Sequence, residues 1–319
     1  MGTFYPRSGR DRYNGCMTKP ELVERYLAFA ATLLERLAAK PDLDKLVWHY
    51  TTGAGLIGIV ESGSIFATQV SCLNDATEVR YSAKGLREAL SVLVTGMDEH
   101  QPGATVLKRY VELLQDSDAA PNSATLPYFV TCFSSLEDDL GQWRSYGGGE
   151  NGYAIGIMVR DLIGTPNSLV ARVNYDAGTH ADVSKEAAEA TLRFYREGLK
   201  EGIDDWDGVF LNLWDYTLTQ LAPIIKDPGF AVEQEIRLVH QLQEPELLQL
   251  NVRQRKTMMS RHLPIRFPSA GKLGVPISKV IVGPCRHREI TRIGVDTLLR
   301  THGYPSGLVV SSQRPYQEA

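Results

Sequence analysis

The apolar runs of this chain are short, and the helical patterns between them differ widely in length. Strand-like runs fall near 45–50, 65–69, 128–133, 152–158, 170–175, 233–239, 279–282 and 308–311. Helical periodicity covers about 18–40, 53–62, 76–93, 105–115, 135–146, 181–200, 206–225, 246–260 and 289–302. A regularly alternating parallel sheet needs strands and helices of even length in strict succession. The uneven pattern here predicts an α+β chain instead. With 319 residues and no internal repeat, low-complexity tract or clear linker, it reads as a loose leader at 1–17 followed by a single domain at 18–319. That domain opens with a helix over 18–40 and carries a helical insertion at about 181–225.

Several boundaries carry their own chemistry. Thr18-Lys19-Pro20-Glu21 has the spacing of a capping box, with Pro in the first turn. Thr51 or Thr52 caps the helix that Gly63 closes. Cys72-Leu73-Asn74-Asp75 reads as a turn.

Charge and cysteine usage remove some function classes. The formal net charge of −4 gives no global basic field of the kind that drives non-specific nucleic-acid binding. The clusters Arg253-Gln254-Arg255-Lys256 and Arg261-His262 read as solvated faces. Cys16, Cys72, Cys132 and Cys285 are scattered, which suggests neither a zinc pattern nor a disulfide framework and suits a reducing compartment. No segment approaches the roughly 20 apolar residues that span a bilayer. The expectation is a soluble, cytoplasmic protein that is not membrane-bound.

Three constellations carry chemistry. In Leu46-Val47-Trp48-His49-Tyr50-Thr51-Thr52 a strand runs into a helix N-terminus, where unpaired N–H groups favour an anion or a polar ligand edge. His49, Tyr50 and Thr51 there can hydrogen-bond a ribose or an amide, or serve as a cap beside a buried, satisfied histidine. In Gln142-Trp143-Arg144-Ser145-Tyr146-Gly147 the two aromatics lie three apart on one helix face before a run of glycines. They offer a stacking surface for a flat heterocycle, or an aromatic core contact. In Glu233-Gln234-Glu235-Ile236-Arg237-Leu238-Val239 strand alternation sends Ile236 and Leu238 inward and sets Glu233, Glu235 and Arg237 together on the other face. That face is either a half-exposed polar surface or a cleft wall. In a cleft, one carboxylate can stabilise an oxocarbenium ion and the other can accept a proton. Asn74 is a weaker candidate, read either as an Asx cap or as a ligand contact.

These motifs together resemble a bacterial family catalogued as a domain of unknown function. The residues that carry the resemblance are His49-Tyr50-Thr51, Asn74-Asp75, Trp143-x-x-Tyr146-Gly147 and Glu233-x-Glu235-x-Arg237, and it runs from Leu46 to Pro284. More distantly the arrangement is similar to the ADP-ribosyltransferases, which clamp NAD in the cleft of a split β-sheet. The resemblance implies a split-sheet core with helical insertions and NAD as the substrate. His49 and Thr51 would hold the dinucleotide, Tyr146 or Tyr81 would stack on nicotinamide, and Arg237 or Arg144 would meet the pyrophosphate. Glu235 would be catalytic and Glu233 would orient or deprotonate the acceptor. Thr131-Cys132-Phe133-Ser134 stands where many of these transferases carry Ser-Thr-Ser. The resemblance further implies a protein or nucleic-acid acceptor, a role as a toxin or in phage defence, and an antitoxin or immunity partner. Two alternatives share the same residues: an NAD glycohydrolase, and a non-catalytic module that senses a nucleotide.

Overall fold

The computed structural model describes residues 21–72, 77–98, 100–101, 103–115, 128–147, 152–254 and 259–315. The leader, most of the capping box ahead of Glu21, and Asn74 lie outside the described residues. The amphipathic pattern forms α1 (Glu21–Leu37), with Leu22, Tyr26, Ala30, Leu33 and Leu37 on its buried stripe. β1 (Leu46–Thr51) follows. Thr52, rather than Thr51, caps α2 (Gly53–Ser62): its Oγ1 accepts the Gly55 N–H at 3.2 Å. Gly63 closes α2 at φ +59°, a left-handed geometry that glycine adopts without a Cβ penalty. Then come β2 (Ile65–Gln69), α3 (Thr77–Thr95), α4 (Ala104–Gln115), β3 (Tyr128–Ser134), α5 (Leu140–Tyr146) and β4 (Tyr153–Met158). α6 (Val159–Leu162), β5 (Ser168–Arg172), α7 (Ala177–Glu201) and α8 (Trp206–Leu221) complete the middle. The last part holds β6 (Glu235–Gln241), β7 (Asn251–Gln254), β8 (Met259–Ile265), β9 (Lys279–Val282), α9 (Arg288–Thr301) and β10 (Val309–Ser311).

Three expectations need correction. The helix expected from Ser135 starts only at Leu140, because Asp138 sits at φ +50° and Asp139 is the cap, accepting the Gln142 N–H at 3.0 Å. The helix expected over 246–260 is a 3-10 turn, Glu244–Gln249, followed by the hairpin β7–β8. Leu247 and Leu248 of that turn are 53% and 96% exposed, whereas Leu263 and Ile265 are buried through pairing with β2. Finally, Glu233 ends a 3-10 turn, Pro228–Glu233, and Gln234 at φ +45° separates it from β6.

The chain divides into two compact units. One comprises Met1–Ala39, Val70–Tyr128 and Val173–Phe230; the other comprises Lys40–Gln69, Phe129–Arg172 and Ala231–Ala319. The first is helical. In it, Tyr26 of α1 meets Phe194 of α7 edge-on at 5.2 Å and shares a hydrogen bond with Thr217 of α8 at 3.0 Å. Tyr81 of α3 reaches His180 of α7 at 3.2 Å. The stretch read as an insertion supplies α7 and α8 of this unit.

The second unit carries the sheet, in the order β10-β9-β4-β1-β3-β2-β8-β7, with β6 pairing β3 and β5. β9 and β10 run parallel, while β1–β4, β2–β8, β4–β9, β5–β6 and β7–β8 are antiparallel. The architecture is therefore mixed α/β with a mostly antiparallel, open sheet. The main apolar cluster joins Val47, Ile155, Ile157, Ile236, Leu238 and Ile265 to α2, α6 and α9 through Leu56, Val159 and Leu299. A smaller cluster gathers Trp48, Tyr50, Ala154 and Ile281 with Trp143 of α5. Among the described residues no helix is long and apolar enough to cross a membrane.

Candidate functional site

Of the candidate site residues that the structure describes, all but Tyr81 lie in the second unit. Strand alternation separates them into different environments. Val47 packs in the main cluster, whereas Trp48 and Tyr50 belong to the smaller one.

His49 stands where β1 and β3 part company. The two strands pair at Trp48↔Ser134 alone, whereas β1 and β4 pair at six positions from Leu46↔Met158 to Thr51↔Tyr153. The His49 Nδ1 lies 3.0 Å from the Cys132 carbonyl oxygen. A carbonyl only accepts, so Nδ1 carries the proton and Nε2 of the neutral ring keeps its lone pair. Part of the residue meets solvent, yet the ring is closely surrounded and sits 5.8 Å from that of Phe133. Burial lowers the His49 pKa from its ordinary value; the bond to Cys132 opposes that shift and the positive charge of Arg253 adds to it. At neutral pH His49 is an uncharged acceptor in a fixed orientation.

The Trp143 and Tyr146 face is occupied rather than open. Trp143 is 5% exposed, stacks edge-on against Tyr50 at 4.7 Å, and donates its indole N–H to Asp138 Oδ1 at 2.9 Å. It is a core contact and presents no free stacking face. The Tyr50 hydroxyl donates to the Leu136 carbonyl at 2.7 Å and accepts the Asp139 N–H at 3.1 Å, so it pins the loop between β3 and α5. Burial raises the pKa of this phenol far above its usual value. Tyr146 is half-buried and donates to Glu233 Oε1 at 3.1 Å. Arg144 is exposed and makes no side-chain hydrogen bond or ion pair among the described residues. Thr51 is half-buried beside the α2 N-terminus.

Glu235 and Arg237 form a fork-on-fork pair, with Nε to Oε1 and Nη2 to Oε2 both at 2.9 Å. Glu235 is 7% exposed and Arg237 1%. Ile236 and Leu238 point into the main cluster, as alternation demands. Glu233 does not share that strand face. Its carbonyl accepts from the Ser134 hydroxyl at 2.7 Å and the Gln142 amide at 3.3 Å, while its carboxylate takes the Tyr146 hydroxyl. The hydrogen bonds described for His49 and for Glu235 share no residue.

Sequence reasoning missed Asp138, the hub of this region. Its carboxylate accepts from Trp143, from the Ser312 hydroxyl at 2.5 Å and from the Gln313 N–H at 2.8 Å. Asp138 falls inside the stretch 135–146 that reads as helical in the sequence, where nothing announces its φ of +50°.

No curated protein and no solved structure matches this chain. A family model matches a narrower stretch than the Leu46–Pro284 resemblance: it covers Trp143, Tyr146, Glu233, Glu235 and Arg237 and leaves His49 outside. Residues 142–238 are similar to a family described as a protein of unknown function, DUF2971.

Proposed function

We propose that this chain cleaves NAD at the nicotinamide–ribose bond and transfers ADP-ribose to a macromolecular acceptor. The observation that carries the reading is His49: a neutral imidazole, fixed through Nδ1, with Nε2 left as an acceptor for a ribose hydroxyl. The donor set fits the dinucleotide in kind. Arg237 supplies a cation for the diphosphate and Glu235 a carboxylate for the nicotinamide ribose, while Tyr146, half-buried against the smaller cluster, would have to turn out of it to stack on nicotinamide. Glu235 and Arg237 hold each other in the structure described, so the reading requires NAD to draw the guanidinium onto its phosphates and release the carboxylate. The bond from C1′ to the nicotinamide nitrogen then breaks, and its electron pair leaves with nicotinamide. Glu235 stabilises the oxocarbenium character at C1′. An acceptor nucleophile adds there, and its proton passes to Glu233 or to solvent. A toxic or phage-defence role, with an inhibitory partner, rests on the family resemblance alone.

Incubation with NAD labelled in its adenylate half tests this. Labelled macromolecule with free nicotinamide, abolished in Glu235→Gln, is the expected result. Free ADP-ribose without labelled macromolecule would make water the acceptor. The burial of Glu235 with both oxygens engaged favours a second reading, a nucleotide-binding module without turnover. NAD binding with no nicotinamide release, alike in wild type and Glu235→Gln, would establish it in place of the first.

A further inference from the structure

A cavity of about 280 Å³ lies within the second unit, beside the start of β6. Its apolar wall is Pro41, Leu46, Val47, Val159 and Ile236, and its polar wall is Asp42, Lys45, Ser135, Arg172 and Gln234. The polar wall is rich in donors. Ser135 donates its hydroxyl to Gln234 Oε1 at 2.8 Å, which fixes that amide and leaves its NH2 as a donor. Asp42 already accepts the Asp44 N–H at 3.1 Å. Among the described residues, neither the Lys45 ammonium nor the Arg172 guanidinium makes a side-chain hydrogen bond or ion pair.

Arg172 is the informative residue. It is half-buried at the end of β5, opposite Ile236 in the β5–β6 register, where its neighbours Val47, Val159 and Ile236 belong to the apolar cluster. A half-buried guanidinium there, with no carboxylate in hydrogen-bond contact among the described residues, gives up part of its hydration without a paired charge in return. A cation repeated by Lys45 across the same cavity serves an anion.

We infer that this cavity binds a small oxyanion with an apolar body, a phosphate monoester or a carboxylate. Arg172 and Lys45 hold the charged end, the Gln234 amide adds a neutral donor, and Val47, Val159 and Ile236 take the apolar end. A ligand there also touches the two residues that flank Glu235, so occupancy bears on the chain segment carrying that carboxylate. The inference does not depend on NAD chemistry.

Calorimetric titration of the whole chain with phenyl phosphate and with benzoate, each beside inorganic phosphate, tests it. Saturable binding of one aromatic oxyanion, weakened about tenfold or more in both Arg172→Gln and Lys45→Gln, is expected from the loss of a charge-assisted contact. Which of the two binds decides between phosphate and carboxylate. Circular dichroism and the unfolding midpoint identify a variant that has failed to fold, and Arg172→Lys, which keeps the charge, should retain part of the affinity. His49→Ala should leave this binding unchanged whatever it does to NAD. No binding of either probe at millimolar concentration overturns the inference, and so does equal binding by folded Gln variants. Displacement of the probe by NAD with loss at His49→Ala would assign the cavity to the dinucleotide and overturn the separate site.

Discussion

Arg237 is among the largest fully buried side chains, and its guanidinium meets Glu235 across two parallel hydrogen bonds. Burying two charges is expensive, and a good mutual geometry only repays that cost. Removing one partner differs from removing both, because a lone carboxylate 7% exposed keeps its desolvation cost. Arg237→Met should therefore destabilise the protein by about 3–5 kcal/mol, whereas Glu235→Leu combined with Arg237→Met should recover much of that loss. Urea unfolding of the wild type, the single and the double variant decides it. A single variant as stable as the double one would mean that the pair contributes no electrostatic coupling. Glu235→Gln keeps the shape and loses the charge, which suits it to the NAD assay rather than to this comparison of stabilities. A half-buried set of hydrogen bonds around the buried His240, Ser168 to His240 at 2.9 Å and His240 to Glu246 at 3.0 Å, ties β5, β6 and the 3-10 turn after β6 together. Glu246 also accepts the Gln243 N–H at 2.7 Å, so this histidine links a turn cap to the sheet.

At the scale of elements, local chemistry decided what could be read from the sequence. Thr52 and Gly63 bound α2, and β2 and β9 match their apolar runs residue for residue. The β7–β8 hairpin was not legible, because Leu247 and Leu250 mimic helical spacing and only pairing with β2 fixes β8 as a strand. For the candidate residues, the sequence offers side-chain types and spacing and not their geometry. Nothing in Glu233-Gln234-Glu235 announces the positive φ at Gln234 that puts the first carboxylate on a turn. Nor does Trp143 announce that Tyr50 and Asp138 occupy it. One register pair makes a sharp test of the smaller cluster. Gly156 faces Trp48 across β1–β4, and a Cβ at Gly156 would stand 2.8 Å from the indole ring. The ring cannot yield within a packed layer that includes Ala154 and Ile281. Gly156→Ala should thus cost about 1–3 kcal/mol by overpacking. Gly164→Ala, at φ +89° with no neighbour within 4 Å, reports backbone strain without a clash. A Gly156→Ala variant that matches wild type in denaturant midpoint would show that the layer is loosely packed.

For the whole molecule, the buried titratable groups define a pH range of full stability. His49 in one unit and His180 in the other both have pKa values lowered from 6.5, in each case chiefly by burial. Below 6.5 the unfolded chain takes up protons on these rings while the folded chain does not, so stability falls as pH drops from 6.5 toward the folded values. The buried phenols act at the other end. Burial pushes Tyr304 up to about 12, and raises Tyr50 and Tyr195 further, from an ordinary 10.0. The unfolded chain releases those protons above 10.0 while the folded chain retains them, so stability declines again as pH rises beyond it. Between about 6.5 and 10 neither set differs between the two states, and the urea midpoint should form a plateau. Two variants separate the contributions. His49→Gln keeps a side-chain hydrogen-bond donor toward Cys132 and cannot be protonated, so its acid limb should be shallower than that of wild type while the alkaline limb stays the same. Tyr304→Phe removes a phenol whose hydroxyl donates to the Val275 carbonyl at 2.9 Å, so it should lower the plateau and flatten the alkaline limb. If the acid limb of His49→Gln coincides with wild type, the imidazole is not the buried neutral acceptor on which ribose recognition was built. The loss would then extend from stability to the proposed chemistry.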